Sequence, residues 1–122
     1  MNIGIIVFAH GSRIEPANQA VRAVATEFAR AGGHPHVEAA FLELGHPSLE
    51  EAVARFADQG IQRIIVIPYF LTLGMHLERD LPRLVQDISN KKSGLHITVT
   101  PPLDGHPALV EILQARALAA IS

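Results

Sequence analysis

The chain has 122 residues, 48% of them hydrophobic, with 10 Lys+Arg against 12 Asp+Glu and a formal net charge of −2. That is enough length and apolar content for one well-buried domain, residues 1–122, and too little for two ordinary ones. The charge offers no basic stripe for nucleic acid, and the absence of cysteine excludes disulfides, thiolate metal sites and cysteine nucleophiles.

Residues 3–8 open the chain with Ile3, Ile5, Ile6, Val7 and Phe8, the β-branched, nearly continuous run of a parallel strand covered on both faces. The run breaks off into His10, Gly11, Ser12 and Arg13. These make poor core material and belong at the strand's carboxyl end, where open α/β sheets bind ligands. No basic region precedes the run, so it does not read as a signal peptide. The longest apolar run, residues 64–71, contains Pro68 and falls far short of the ~20 residues of a membrane span. A cytoplasmic domain without membrane contact is expected.

Glu15 and Pro16 suit a helix's first turn; Val21, Val24, Ala25 and Phe28 follow at helical spacing, and Gly32-Gly33 stops them. Residues 37–44, VEAAFLEL, predict a second strand. Ser48 then stands three residues before Glu51, the spacing of a capping box, ahead of the apolar face Leu49, Ala52, Val53, Phe56 and Ala57. A third strand is expected within residues 61–70. After a loop at 72–75 comes a helix with Leu81, Leu84, Val85 and Ile88 inward. Pro82 is expected in that helix's first turn or two, because deeper placement costs roughly 3 kcal/mol. Residues 95–100 alternate as a fourth strand, and Leu109, Ile112, Leu113, Ala117 and Ala120 mark a last helix. The order βαβαβαβα predicts an α/β fold: three αβα layers around a four-stranded parallel sheet, strand order 2-1-3-4.

Parallel strands present all their carboxyl ends at one edge. His10 follows the first, Glu43 ends the second and His76 follows the third; with neighbouring strands ~5 Å apart, the order 2-1-3 makes these three adjacent. Two imidazoles and a carboxylate suit a borderline divalent ion, and three protein ligands leave positions open for its exchange. Taken singly, each residue has a plainer reading, as a hydrogen-bonded loop histidine, a solvated carboxylate or a helix-start residue. It is the shared edge that groups them. His34, His36, His96 and His106 fall in turns, loops or strand starts and read as structural, whereas His46, between Glu43 and Pro47, is harder to set aside. Ser12 and Arg13 have two readings: an anion site at the start of the first helix, or a simple cap and a surface charge.

Three stretches, AHGSR after the first strand, ELGHPSLEEA after the second and IPYFLTLGMHLERDLP after the third, together resemble the small class II chelatases. These are the CbiX-type and SirB-type sirohydrochlorin chelatases, with a chelatase fold of the flavodoxin-like kind, and the resemblance covers essentially the whole chain. It implies insertion of Co2+, Fe2+ or Ni2+ into a sirohydrochlorin-type tetrapyrrole, on the way to cobalamin, sirohaem or a nickel tetrapyrrole. The divalent metal is then a substrate, and no cofactor is permanently bound. It further implies His10 as metal ligand and proton acceptor, His76 as second ligand and Glu43 joining the metal. His46 corresponds to a substrate-contacting position, and Leu71, Thr72, Leu73, Gly74, Met75 and His76 match the segment lining the macrocycle. Long members carry two such domains, so a single-domain chain is expected to be a homodimer.

The chemistry is coherent by itself. Metal insertion expels two pyrrole protons, and a neutral imidazole is a suitable base near pH 7. Leu71, Leu73 and Met75 offer apolar contact to a macrocycle face, and Arg13 and Arg79 offer charge to its carboxylates. A non-enzymatic metal or tetrapyrrole carrier using the same two histidines is the competing reading. A hydrolase that uses His-Gly as part of an oxyanion hole would need a nucleophile elbow, and no G-x-S-x-G occurs in the chain.

Overall fold

The computed structural model describes residues 2–121; the outermost residues of the expected domain, Met1 and Ser122, lie outside them. The elements run β1 (Ile3–Ala9), α1 (Glu15–Gly32), β2 (Val37–Phe41), α2 (Leu49–Asp58), β3 (Arg63–Pro68), α3 (Gly74–Lys91), β4 (His96–Val99) and α4 (Ala108–Ile121). All three strand pairings are parallel, and the order is β2-β1-β3-β4. β1 is central because its apolar residues do not alternate. Both of its faces are covered, and every residue from Gly4 to Ala9 is buried.

The register divides the strand residues between two cores. Ile6 and Phe8 share a face with Ala40, Ile64 and Val66, under α2 and α3, where Phe56, Leu81 and Ile88 complete the larger cluster. Val7 and Ala9 point the other way with Ala39 and Phe41, against Ala25, Val21 and Phe28 of α1. Both helix boundaries read from the sequence hold. Gly33 stops α1 in the left-handed region at φ 64, and Ser48 and Glu51 form a complete capping box.

Two expectations need correction, and one helix sits apart from the sheet. β2 ends at Phe41, not residue 44, because the chain folds back on itself: Phe41 N donates to Pro47 O at 2.9 Å and the peptide between His46 and Pro47 is cis. α3 begins at Gly74, which puts Pro82 in its third turn. Burial of Leu81 and Ile88, 1% and 5% exposed, offsets the hydrogen bond that a proline cannot donate. Finally, α4 does not pack on the sheet. None of its described residues is buried, and Val110, Ile112, Leu113 and Ile121 are between 51 and 79% exposed. The face shared with α1 is consequently open beyond β1, where Ile65 and Ile67 of β3 are only half-buried. No helix among the described residues is long and apolar enough to cross a membrane.

Candidate functional site

The carboxyl ends of β1 and β2 stay joined after the ladder stops. Leu42 N donates to Ala9 O at 2.9 Å and Glu43 N to His10 O at 3.0 Å. Gly11 passes so close that a Cβ would sit 1.7 Å from Glu43 O, and its φ of 94° is open to glycine at little cost. This backbone weave brings His10 Nε2 to 3.0 Å from Glu43 Oε1, although the carboxylate lies two residues beyond its strand. The carboxylate can only accept, so an imidazole in its neutral form donates from Nε2 and keeps its lone pair on Nδ1. Both side chains remain more than half exposed.

His10 also lines an open hollow of about 520 Å3 over the β1–β3 ends. Leu42, Phe70, Leu73 and Met75 give it an apolar wall, Thr72 and Gly74 its rim, and His76 from the first turn of α3 stands in the same wall. Arg79 Nη2 lies 3.3 Å from His76 Nδ1, and Arg79 Nε lies 3.3 Å from Asp80 Oδ1. A guanidinium has no lone pair to offer, so His76 Nδ1 accepts. His10 and His76 both line the hollow, and among the described residues no three His, Cys, Asp or Glu side chains reach metal-ligand spacing.

The other candidates fall elsewhere. Leu71 is 66% exposed outside the hollow's wall, while Met75, at 85%, stands at its mouth. His46 lies in a separate hollow of about 500 Å3 between α1, β2 and α2. Its Nδ1 is 3.2 Å from Glu51 Oε1, and both arginines of that hollow are engaged, Arg22 with Glu15 and Arg55 with Glu38. The Glu51 carboxyl is held below the ordinary glutamate range, chiefly by the backbone N–H of Ser48 and then by His46. Glu15 is lowered chiefly by its hydrogen bond from Arg22. Ser12 is not the helix cap: Ile14 occupies that position, and Ser12 Oγ accepts from Ile14 N at 3.0 Å in a turn before it. Arg13 is exposed beside this turn. His34 stacks on Phe28, 4.8 Å between ring centroids, and His106 Nδ1 accepts from Ala108 N, both structural as read.

One residue escaped the sequence reading. Asn18 in α1 is 1% exposed and hydrogen-bonds to both loops of the site. A polar residue on the apolar face of an otherwise regular helix was its only signal.

Comparison with known proteins gives a consistent neighbourhood. The family model described as CbiX matches residues 4–120. The chloroplastic sirohydrochlorin ferrochelatase of Arabidopsis thaliana is 35% identical over 113 residues, which is 93% of this chain and 50% of that protein. The chain thus spans half the length of that relative. The sirohydrochlorin cobaltochelatase of Sulfolobus acidocaldarius is 32% identical over 120 residues, 98% of this chain and 94% of that one. Among solved structures, a CbiX protein of cobalamin (vitamin B12) biosynthesis from Marinobacter aquaeolei superposes with a TM-score of 0.88 at 26% identity, covering 98% and 97% of the two chains. The sirohydrochlorin chelatase SirB from Bacillus subtilis subspecies spizizenii, in complex with cobalt, gives 0.85 at 27% identity, over 98% of this chain and 51% of SirB.

Proposed function

The chain belongs to the CbiX family, and on that premise we propose that it is a sirohydrochlorin chelatase, inserting Co2+, Fe2+ or Ni2+ into the free-base tetrapyrrole. The observation that carries this reading is the His10–Glu43 pair at the mouth of an apolar hollow that also contains His76.

In this reading residues 1–122 work as one domain, and metal and macrocycle are both substrates of it. The macrocycle lies against Leu42, Phe70, Leu73 and Met75, with Thr72 and Gly74 at its edge and Leu71 reaching it from outside the wall. The metal is delivered by His10 and His76 with Glu43 beside it. Since Nε2 of His10 is turned to Glu43, Nδ1 is the atom available to metal or to a pyrrole proton, and Glu43 stabilises the imidazolium that results. Arg13, Ser12 and Arg79 are the residues we assign to the peripheral carboxylates, Arg79 having to exchange its contact with Asp80 to do so. His46, in the second hollow, touches substrate only where the macrocycle's side groups reach past Glu43. A cytoplasmic location accords with a reaction that needs no membrane.

A homodimer completes the proposal. Its support is the exposed apolar length of α4, the half-open face at Ile65 and Ile67, and the match to about half of the SirB chain, which leaves room for a second unit of this size. The second copy is the occupant we assign to these surfaces.

The decisive experiment incubates the protein with sirohydrochlorin and Co2+, Fe2+ or Ni2+ in turn and follows tetrapyrrole absorbance. Insertion faster than the protein-free control is expected with at least one ion. A rate at the control level with all three refutes the enzyme and favours a metal or tetrapyrrole carrier.

A further inference from the structure

Beneath the site, α1 carries an amide in an apolar setting. Asn18 is the one polar residue in the buried set of the described residues, between helix residues whose inward face packs on Ala39 and Phe41. An amide buried without partners costs roughly 1–3 kcal/mol, so its presence there is explained only by what it bonds.

Three hydrogen bonds of its side chain go to the two loops that carry His10 and Glu43, besides a contact with the Glu15 carboxylate. Oδ1 accepts from Ser12 N at 2.9 Å, while Nδ2 donates to Ser12 O at 2.9 Å and to Leu44 O at 3.0 Å. The backbone weave between the loops ends at Glu43 N–His10 O. Immediately beyond it both chains turn through positive φ, 94° at Gly11 and 57° at Leu44. Asn18 spans the gap just past those turns. Gly45 completes the fit, since a Cβ there would stand 3.2 Å from Asn18 Nδ2 and 2.9 Å from the Phe41 ring.

We propose that Asn18 is a positioning residue for the His10–Glu43 pair, bridging the Ser12 and Leu44 turns so that imidazole and carboxylate are held within hydrogen-bond reach before substrate arrives. Its kinetic consequence rests on the chelatase reading; its geometric consequence does not. Aspartate at this position has the same shape and still accepts from Ser12 N, but it offers no N–H to either carbonyl. Alanine offers neither. Released, the two turns lose the bridge that lies beyond the Glu43 N–His10 O bond, and the exposed imidazole and carboxylate are freer to move apart.

The test uses the full chain as Asn18→Ala and Asn18→Asp, with Ile88→Val as a control that trims the core away from the site. The metal-free proteins are compared for the nuclear Overhauser contact between the His10 ring and the Glu43 γ-methylene, then assayed for metal insertion. The contact is expected in the parent and in Ile88→Val and lost in both Asn18 variants, with helical circular dichroism retained. Insertion kcat is expected to fall on the order of a hundredfold, the scale of a misplaced catalytic group, with the tetrapyrrole KM unchanged. A contact that survives in Asn18→Asp overturns the proposal, as does its loss with kcat intact. Absence of insertion by the parent refutes the chelatase reading instead, and the Overhauser comparison then decides the positioning role alone.

Discussion

His10 Nε2 and Glu43 Oε1 meet at 3.0 Å across 33 residues of sequence, yet the two side chains remain 59% and 58% exposed. Burial does not create this pair. The ends of two adjacent strands create it, through Glu43 N on His10 O and through a glycine with no room for a Cβ. An exposed ion pair is worth about 0–1 kcal/mol, so stability is a weak reason for such close backbone engineering, and chemistry at the imidazole is the better one.

Replacing His10 with alanine should therefore separate activity from stability. Its exposed side chain supports little of the fold, so the melting temperature should stay close to that of the parent. Metal insertion should fall by about 10²–10⁴-fold, the range of a lost proton acceptor, and His76→Ala should behave in the same way. Tetrapyrrole absorbance beside a thermal melt checks both, and parent-like turnover in either variant contradicts the assignment.

Gly11→Ala should do the opposite and damage structure and activity together. The left-handed φ costs about 1–3 kcal/mol for a side-chain-bearing residue. In addition, a methyl group 1.7 Å from a carbonyl oxygen forces the loops of His10 and Glu43 apart. Gly33→Ala is the matched control, with φ +64 and nothing within 4 Å. A lower melting temperature with lost insertion is expected for Gly11→Ala, against a small stability loss with full activity for Gly33→Ala.

How far the sequence could be read follows from where each residue's constraint lies. The parallel sheet followed from continuous apolar runs such as residues 3–8 and from right-handed crossovers, both local or general rules, which by themselves leave the order 2-1-3-4 open. The capping box at Ser48 and Glu51 is likewise written within four residues. Glu43 was placed at the right edge for an incomplete reason: its strand stops at Phe41, and the return through Pro47 that stops it is a tertiary contact. Pro82 misled because local cost was weighed without the burial of Leu81 that outweighs it. Asn18 left no more than a polar residue on an apolar helix face, because its meaning lies in two loops, one six and the other 26 residues away. Nor does any pattern within α4 say that its apolar side chains face outward from this chain.

The capping box predicts a pH dependence. Ser48 N and His46 bond the Glu51 carboxylate and lower its pKa from the ordinary 4.5, so the folded state favours the ionised form. The sign follows directly: this stabilisation is fully present above pH 4.5 and is lost as pH falls through the folded value. Glu51→Gln keeps the side chain's length but cannot ionise. The parent's advantage over it in thermal stability should shrink steadily below pH 4.5, and an advantage unchanged to pH 2 would contradict the hydrogen-bonded carboxylate.

The exposed face of α4 sets up the last prediction. In a lone chain Leu113 is 69% exposed and Ile112 51%, so glutamate at either position should change monomer stability by no more than about 0.5 kcal/mol. In the proposed dimer the same side chains are covered, each contributing about 1.5–3 kcal/mol of burial, and a carboxylate there must be desolvated without a partner. Leu113→Glu should thus leave the secondary structure intact while converting a dimer to a monomer in light scattering across a concentration series. Because His10, Glu43 and His76 all belong to one chain, the monomer should still bind Co2+ with spectroscopic signals like those of the parent. Any fall in insertion beyond that binding measures what the second copy adds at the open hollow. A parent protein that scatters as a strict monomer at the assay concentration, or a Leu113→Glu variant that remains dimeric, rules out α4 as the contact between copies.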